Sequence, residues 1–250
     1  MKMHDVILRA KKVSRRWGGL VAVDQVSLDI AIGEIHAVIG TNGAGKSTLV
    51  NVLSGEIPAS GGHIELNGQD ITAWSQPKRA LHGLGRSYQR NNIFPAFSVL
   101  ENCRLAAQAK RQNPWNWITP ATSCKATMAL AHDAAQRAGL DHILSRPAGL
   151  LSHGQKRQLE VAMCLAIDPR VLLLDEPLAG MGAEETERML EVLTALKGEH
   201  AILLIEHDMD AVFKVSDRIT VMVNGVAIAS GHPDEIRGNA EVQSAYLGEH

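Results

Sequence analysis

The chain has 250 residues, 45% hydrophobic and 21% charged, and a chain of this length buries roughly three quarters of the surface it exposes when unfolded. Its 25 Lys and Arg against 27 Asp and Glu leave a formal net charge of −2, which argues against a nucleic-acid surface held by charge alone. Three scattered cysteines, Cys103, Cys124 and Cys164, form no CxxC pair, and the eleven histidines show no HExxH spacing, so neither a disulfide framework nor a zinc site is suggested.

The opening MKMHDVILRAKK lacks the apolar stretch of a signal peptide, and no window approaches the roughly 18 consecutive apolar residues of a membrane span. A protein soluble by itself, in a reducing compartment, is expected. Between Val6 and Gly33 short apolar runs alternate with polar residues, which predicts strands of an antiparallel sheet with one solvated face. EIHAVIG, Glu34 to Gly40, predicts a buried strand that runs into the glycine-rich GTNGAGKST. STLVNVLSG then reads as a helix stopped by Gly55. A hairpin is expected in GGHIELNGQDI.

From Asn91 to Leu165 the composition turns Ala-rich and helical in period. TMALAHDAAQRAGL is a helix with Gly139 at its C-terminal cap, whereas RQNPWNWITPATS, with Trp115 and Trp117, is not expected to be continuous helix. The arrangement implied is an α/β core over residues 1–90 and 166–250 with a helical subdomain over residues 91–165. VLLLDE has the continuous apolar run of a central parallel strand. In AEETERMLEVLTALKG, Met189, Leu190, Leu193 and Leu196 share one helical face, with acids in the first turn. AILLIEH is a further buried strand.

GTNGAGKST fits the pattern GxxxxGK followed by Ser or Thr. Gly40, Gly43 and Gly45 permit backbone torsions that turn amide groups inward on a polyphosphate, with Asn42, Ala44 and Thr48 completing the loop. Lys46 reaches the β and γ phosphates and Ser47 is a candidate Mg²⁺ ligand. VLLLDE ends in two carboxylates: Asp175 suits the Mg²⁺ shell, and Glu176 is then available to orient or deprotonate an attacking water. LSHGQ sets a serine and a glycine directly before an amphipathic helix, as a helix N-terminus that holds an anion requires. Taken singly, Trp17, Gln89 and His207 are ordinary packing, loop and core residues.

Their order along the chain resembles the ATP-binding-cassette (ABC) family. Trp17, the phosphate loop, Gln89, LSHGQ (Ser152, Gly154 and Gln155 among its members), LLLDE and His207 follow one another at family-like spacing. The resemblance implies a P-loop NTPase fold with a mostly parallel central sheet, an N-terminal antiparallel β subdomain and an inserted helical subdomain. It also implies ATP and Mg²⁺ as cofactors and a head-to-tail dimer, in which the signature LSHGQ of one subunit covers ATP held by the loop of the other. On that pattern Trp17 stacks on adenine and Gln89 contacts Mg²⁺ and the lytic water. His207 bonds the γ-phosphate, and Ser152 and Gly154 meet the partner's γ-phosphate. Two departures stand out: His153 occupies a position where glycine is usual, and PLAGMGAEE has no aspartate where many members read S-A-L-D.

WGGLVAVDQVSL, IFPAFSVLEN, DEPLAGM, LLIEHDM and the C-terminal SGHPDEIRGNAEVQSAYLGEH resemble the ATP-binding subunits of branched-chain amino acid importers, with LSHGQ and AGM also similar to urea and short-chain amide relatives. Implied partners are a second, similar ATPase subunit, two membrane-spanning permease subunits and an extracytoplasmic binding protein, with no nucleic acid. The implied location is cytoplasmic, on the inner face of the membrane. A permease helix is expected to dock near residues 91–102, where Ile93, Phe94, Phe97, Val99 and Leu100 divide between docking surface and core. Rival readings are a soluble ATP-switched module acting on nucleic acid, which lacks its paired cassettes and basic surface here, and a P-loop kinase, which leaves LSHGQ and His207 unexplained.

Overall fold

The computed structural model describes residues 6–88, 92–111 and 124–247. The alternating N-terminal runs form β1 (Val6–Trp17) and β2 (Leu20–Ala31). With β4 (Gly61–Leu66) and β5 (Gln69–Asp70) they make a four-stranded antiparallel sheet in the order β2-β1-β4-β5. Between them in the chain lie β3 (Ile35–Gly40), buried along its whole length, and α1 (Lys46–Ser54), which ends at Gly55 with φ +80°. α2 (Gln76–Leu81) follows, and its fully buried Arg79 donates to the carbonyls of Val52 and Leu53 at 2.9 and 2.7 Å. These belong to the last turn of α1, where carbonyls lack the regular partner four residues on; the Val52 carbonyl also receives the N–H of the cap Gly55 at 3.1 Å.

β3 lies in a second sheet with β6 (Leu84–Arg86), β7 (Val171–Asp175), β8 (Ala201–Ile205), β9 (Arg218–Val223) and β10 (Val226–Gly231), in the order β10-β9-β3-β8-β7-β6. All its pairings are parallel except β9 with β10. The uninterrupted apolar runs of β3, β7 and β8 follow from this placement, since a central parallel strand is covered on both faces. Alternate residues supply two cores. Ile35, Ala37, Ile39, Leu172, Leu174, Ile202 and Leu204 face one side. Val38, Val171, Leu173, Ala201, Leu203 and Ile205 face the other, with α1 and the antiparallel sheet.

α3 (Val99–Arg111), α4 (Lys125–Arg137) and α5 (His153–Ala166) pack on one another between β6 and β7. Gly139, φ +78°, follows α4 as expected, one residue beyond the cap Ala138. α6 (Ala183–Lys197) buries Met189, Leu190, Leu193 and Leu196, the face read from their spacing. α7 (Met209–Val215), α8 (Pro233–Arg237) and α9 (Ala240–Leu247) complete the described chain. Among the described residues no helix is long and apolar enough to cross a membrane. Trp115, Trp117 and all of the segment expected to be irregular after Arg111 lie outside the described residues.

His36 on β3 is fully buried, with Nδ1 3.1 Å from the Asp29 carbonyl oxygen and Nε2 2.8 Å from Thr220 Oγ1. Burial pushes its pKa down to about 4 from 6.5, so the imidazole is neutral in the fold. The unfolded chain binds a proton at this residue below pH 6.5 while the folded chain does not until about pH 4. Stability is therefore lost as pH falls through that window, by about 3 kcal/mol in total. His36→Gln is expected to flatten this part of the acid limb in urea denaturation measured from pH 7 to 4, even if it lowers stability at pH 7.

Candidate active site

β3 delivers the chain into a loop whose shape depends on two glycines that no side chain could replace without displacement. A Cβ on Gly45, φ +96°, would stand 2.2 Å from the Ala22 carbonyl oxygen, and one on Gly40 would stand 2.2 Å from that of Met222. The loop is fastened from outside by the β9–β10 turn, where Gly225 donates its N–H to the Ala44 carbonyl at 3.0 Å. α1 starts at Lys46 with no side-chain cap at Gly45, so the helix offers its first amides and the positive end of its dipole to an anion. Asn42, Gly43, Ala44, Gly45, Lys46, Ser47 and Thr48 line a cleft of about 260 Å³ with Ala22 and Glu176.

Lys46 is nearly buried, and its Nζ donates to the carbonyls of Gly40 and Thr41 at 2.6 and 3.0 Å. Burial lowers its pKa; the charges of Glu176 and Asp175 act in the opposite direction. Asp175, at the end of β7, is 2% exposed. Its backbone N–H donates to Ser87 Oγ at 3.1 Å, while its Oδ1 has no hydrogen-bond partner. Burial raises its pKa, Arg86 and Lys46 offset part of that rise, and Glu176 adds to it. Glu176 takes a left-handed backbone, φ +51°, with its N–H on the Ile205 carbonyl at 2.9 Å. This turn brings its side chain to the cleft at the mouth of the phosphate loop.

LSHGQ forms the start of α5. Ser152 is its N-cap: its Oγ accepts the Gln155 N–H at 3.2 Å, and Gln155 Oε1 accepts the Ser152 N–H at 3.0 Å. Ser152, Gly154 and Gln155 contribute nothing to the lining of the cleft in their own chain.

Residues 23–179 match the family model described as ABC transporter, and residues 228–250 match one described as branched-chain amino acid ATP-binding cassette transporter. The chain belongs to the ABC transporter family. It is 38% identical to the high-affinity branched-chain amino acid transport ATP-binding protein BraF of Pseudomonas aeruginosa, over 99% of this chain and 100% of that one. It is 37% identical to LivG of Escherichia coli strain K12, which has the same description, over 99% and 100%. Among solved structures, a nucleotide-free ATP-binding cassette from an ABC transporter superposes with a TM-score of 0.87 at 28% identity, over 98% of this chain and 100% of that one. The ADP conformation of an ABC transporter cassette gives 0.85 at 28%, over 98% and 99%. The fold read from the sequence, the nucleotide-binding function and the ATPase class are those of this family.

Within the ABC ATPase frame, the remaining candidates fall apart spatially. Trp17 ends β1 and is 43% exposed, with the Arg15 guanidinium 4.6 Å above its ring; it stands outside the lining of the cleft. His207 follows β8 with an exposed side chain and does not line the cleft either. Gln89 lies outside the described residues. Of the apolar residues near the expected docking groove, Val99 is buried, Ile93 and Leu100 are partly buried against the core, and Phe94 and Phe97 are exposed and stacked on each other at 5.7 Å.

Sequence reasoning missed four polar residues that hold these parts in place. Glu206, 1% exposed, accepts the Leu178 N–H at 2.7 Å and the His207 N–H at 3.2 Å, binding the turn after Glu176 to the histidine. Burial raises its pKa against those two N–H groups. Ser87 supports Asp175, and Arg157 and Glu160 pair at 2.9 Å inside α5. LLIEHD carried the signal for Glu206, an acid one residue past a run of five buried apolar positions, since a carboxylate there is buried and needs donors.

Gly45→Ala and Gly43→Ala separate loop shape from space. At Gly43, φ +82°, a Cβ meets nothing within 4 Å, so the cost is the left-handed backbone alone, about 1–2 kcal/mol. Gly45→Ala adds the clash with Ala22. Thermal melts and ATP titrations are expected to show a moderate loss for Gly43→Ala and a markedly larger one for Gly45→Ala in both readouts.

Proposed function

We propose that the chain is the ATP-hydrolysing subunit of an importer for branched-chain or other hydrophobic amino acids, attached peripherally to the inner face of the membrane through two permease subunits. The observation that carries the solute class is the near-complete coverage of BraF and LivG at 37–38% identity, joined to the match of residues 228–250. A urea or amide solute rests only on the wording of LSHGQ and AGM.

Catalysis is assigned as follows. The triphosphate lies along the loop amides and the N-terminus of α1, where Lys46 exchanges its two carbonyl partners for phosphate oxygens. Ser47 and Asp175, with Gln89, would hold Mg²⁺, and the buried Asp175 Oδ1 without a partner is the feature of this site that fits a cation. When bound, Mg²⁺ neutralises charge on the β and γ phosphates. Glu176 takes the proton of the attacking water as general base, with Gln89 and His207 positioning that water. Trp17 stacks on adenine with the ring face away from Arg15. A second ATPase subunit, identical or similar, completes the site by bringing its own α5 N-terminus, with Ser152 and Gly154, over the γ-phosphate. Association through ATP and separation after hydrolysis drive the permeases.

Reconstitution with the permeases in liposomes, loaded with ATP and offered labelled leucine, valine and urea, tests the whole. Leucine or valine uptake that disappears with Glu176→Gln, while ATP binding survives, is the expected result; uptake of urea alone overturns the solute class. Asp175→Asn tests the metal site separately. It removes a charge that burial disfavours but that also offsets the Lys46 ammonium, and with these two effects opposed the free protein is expected to melt close to wild type. In titrations with and without Mg²⁺, wild-type ATP affinity is expected to depend on the ion and that of Asp175→Asn is expected not to.

A further inference from the structure

The signature at the start of α5 is already engaged by an anion from its own chain. Ser152 Oγ lies 2.8 Å from Glu185 Oε1, in the first turn of α6, and accepts the Gln155 N–H at 3.2 Å. A serine hydroxyl has a single proton, so while Glu185 accepts it Ser152 has none to donate elsewhere. The carboxylate also lies against Gly154: a Cβ there would stand 2.5 to 2.9 Å from its three carboxyl atoms. Next door, His153 Nε2 lies 2.8 Å from the Ala179 carbonyl oxygen, in the turn that follows Glu176. The two departures from the common family pattern, His153 and the altered segment after Glu176, therefore meet each other.

We propose that Glu185 is an internal stand-in for the γ-phosphate: its carboxylate holds the anion position at the N-terminus of α5 until the triphosphate carried by a second ATPase subunit displaces it. This rests on the reading that Ser152 and Gly154 meet a phosphate in trans. Two anions cannot share the position. A carboxylate at hydrogen-bond distance from Ser152 and packed on Gly154 fills the space the phosphate needs, and its charge repels a polyphosphate at short range. The exchange is balanced in kind, one oxyanion for another on the same hydroxyl and the same helix dipole. Apparent association is thereby scaled down to the fraction of molecules whose signature is vacated, not blocked. The His153 contact with Ala179 couples that release to the turn bearing Glu176. A signature still held by Glu185 keeps α5 bonded to both ends of the segment from Ala179 to Glu185.

The reconstituted transporter provides the test through the ATP dependence of its hydrolysis. Glu185→Gln keeps the size of the side chain and removes its charge, and Glu185→Ala removes the acceptor. Both are expected to lower KM for ATP by about fivefold or more, with kcat little changed and the melting temperature of the chain preserved. A purely structural role would lower melting temperature or kcat without lowering KM. Ser152→Ala is measured alongside and is expected to raise KM. If Ser152→Ala raises KM while both Glu185 variants leave it unchanged or higher, the stand-in is overturned and the shared site survives. If Ser152→Ala leaves KM unaltered, the shared site itself fails and the stand-in falls with it.

Discussion

The constraint on which the rest depends is a nearly buried ammonium. Lys46 sits at the start of α1 between the ends of β3 and β7, and it is kept there by two carbonyls of its own loop and by the charges of Asp175 and Glu176. An ammonium taken out of water needs compensating groups. Here each of them comes from an element that the parallel sheet places beside its neighbours. The strand order meets that requirement. β3 supplies the loop, β7 supplies the carboxylates, and β8 between them supplies the carbonyl of Ile205 that turns Glu176 toward the cleft. An apolar core on both faces of these strands makes the position of that charge reproducible.

Much of this was legible because the elements around the site obey strong local rules. Unbroken apolar runs marked β3, β7 and β8, glycine marked the end of α1, and the four-residue face of α6 was read residue by residue. Other elements lacked such marks. β6 is three residues long, LGR, too short to show a period. β9 and β10 are joined at Asn224 and Gly225, both with positive φ, which is the two-residue hairpin signal, and it was present in the sequence and passed over. The hydrogen-bonded partners of the signature were invisible for a different reason. Glu185 was correctly placed in the first turn of α6 as a group favoured by the helix dipole, but nothing local says that this turn faces the start of α5, since the contact with Ser152 spans 33 residues.

The same limit explains Glu206. Its neighbours in the chain mark it only as the end of a strand, while its function as a brace comes from the Leu178 N–H, 28 residues away. Carboxylates buried at 1–2% exposure with raised pKa values occur at both strand ends, Asp175 on β7 and Glu206 after β8. One has an oxygen with no partner and the other is met by two backbone N–H groups. That difference separates a group available to a cation from one committed to holding two turns together.

Inside α5, Arg157 and Glu160 pair at 2.9 Å; Arg157 reaches the Tyr88 carbonyl at 3.2 Å and Glu160 receives the Asn92 N–H at 3.2 Å. Tyr88 and Asn92 flank Gln89 on either side. A single helix therefore grips the chain before and after the glutamine, in the manner of a crank pinned at two points. Any rotation of that helix must either carry both attachments with it or break them, so the two flanks of the glutamine and the start of α5 are tied into one mechanical unit.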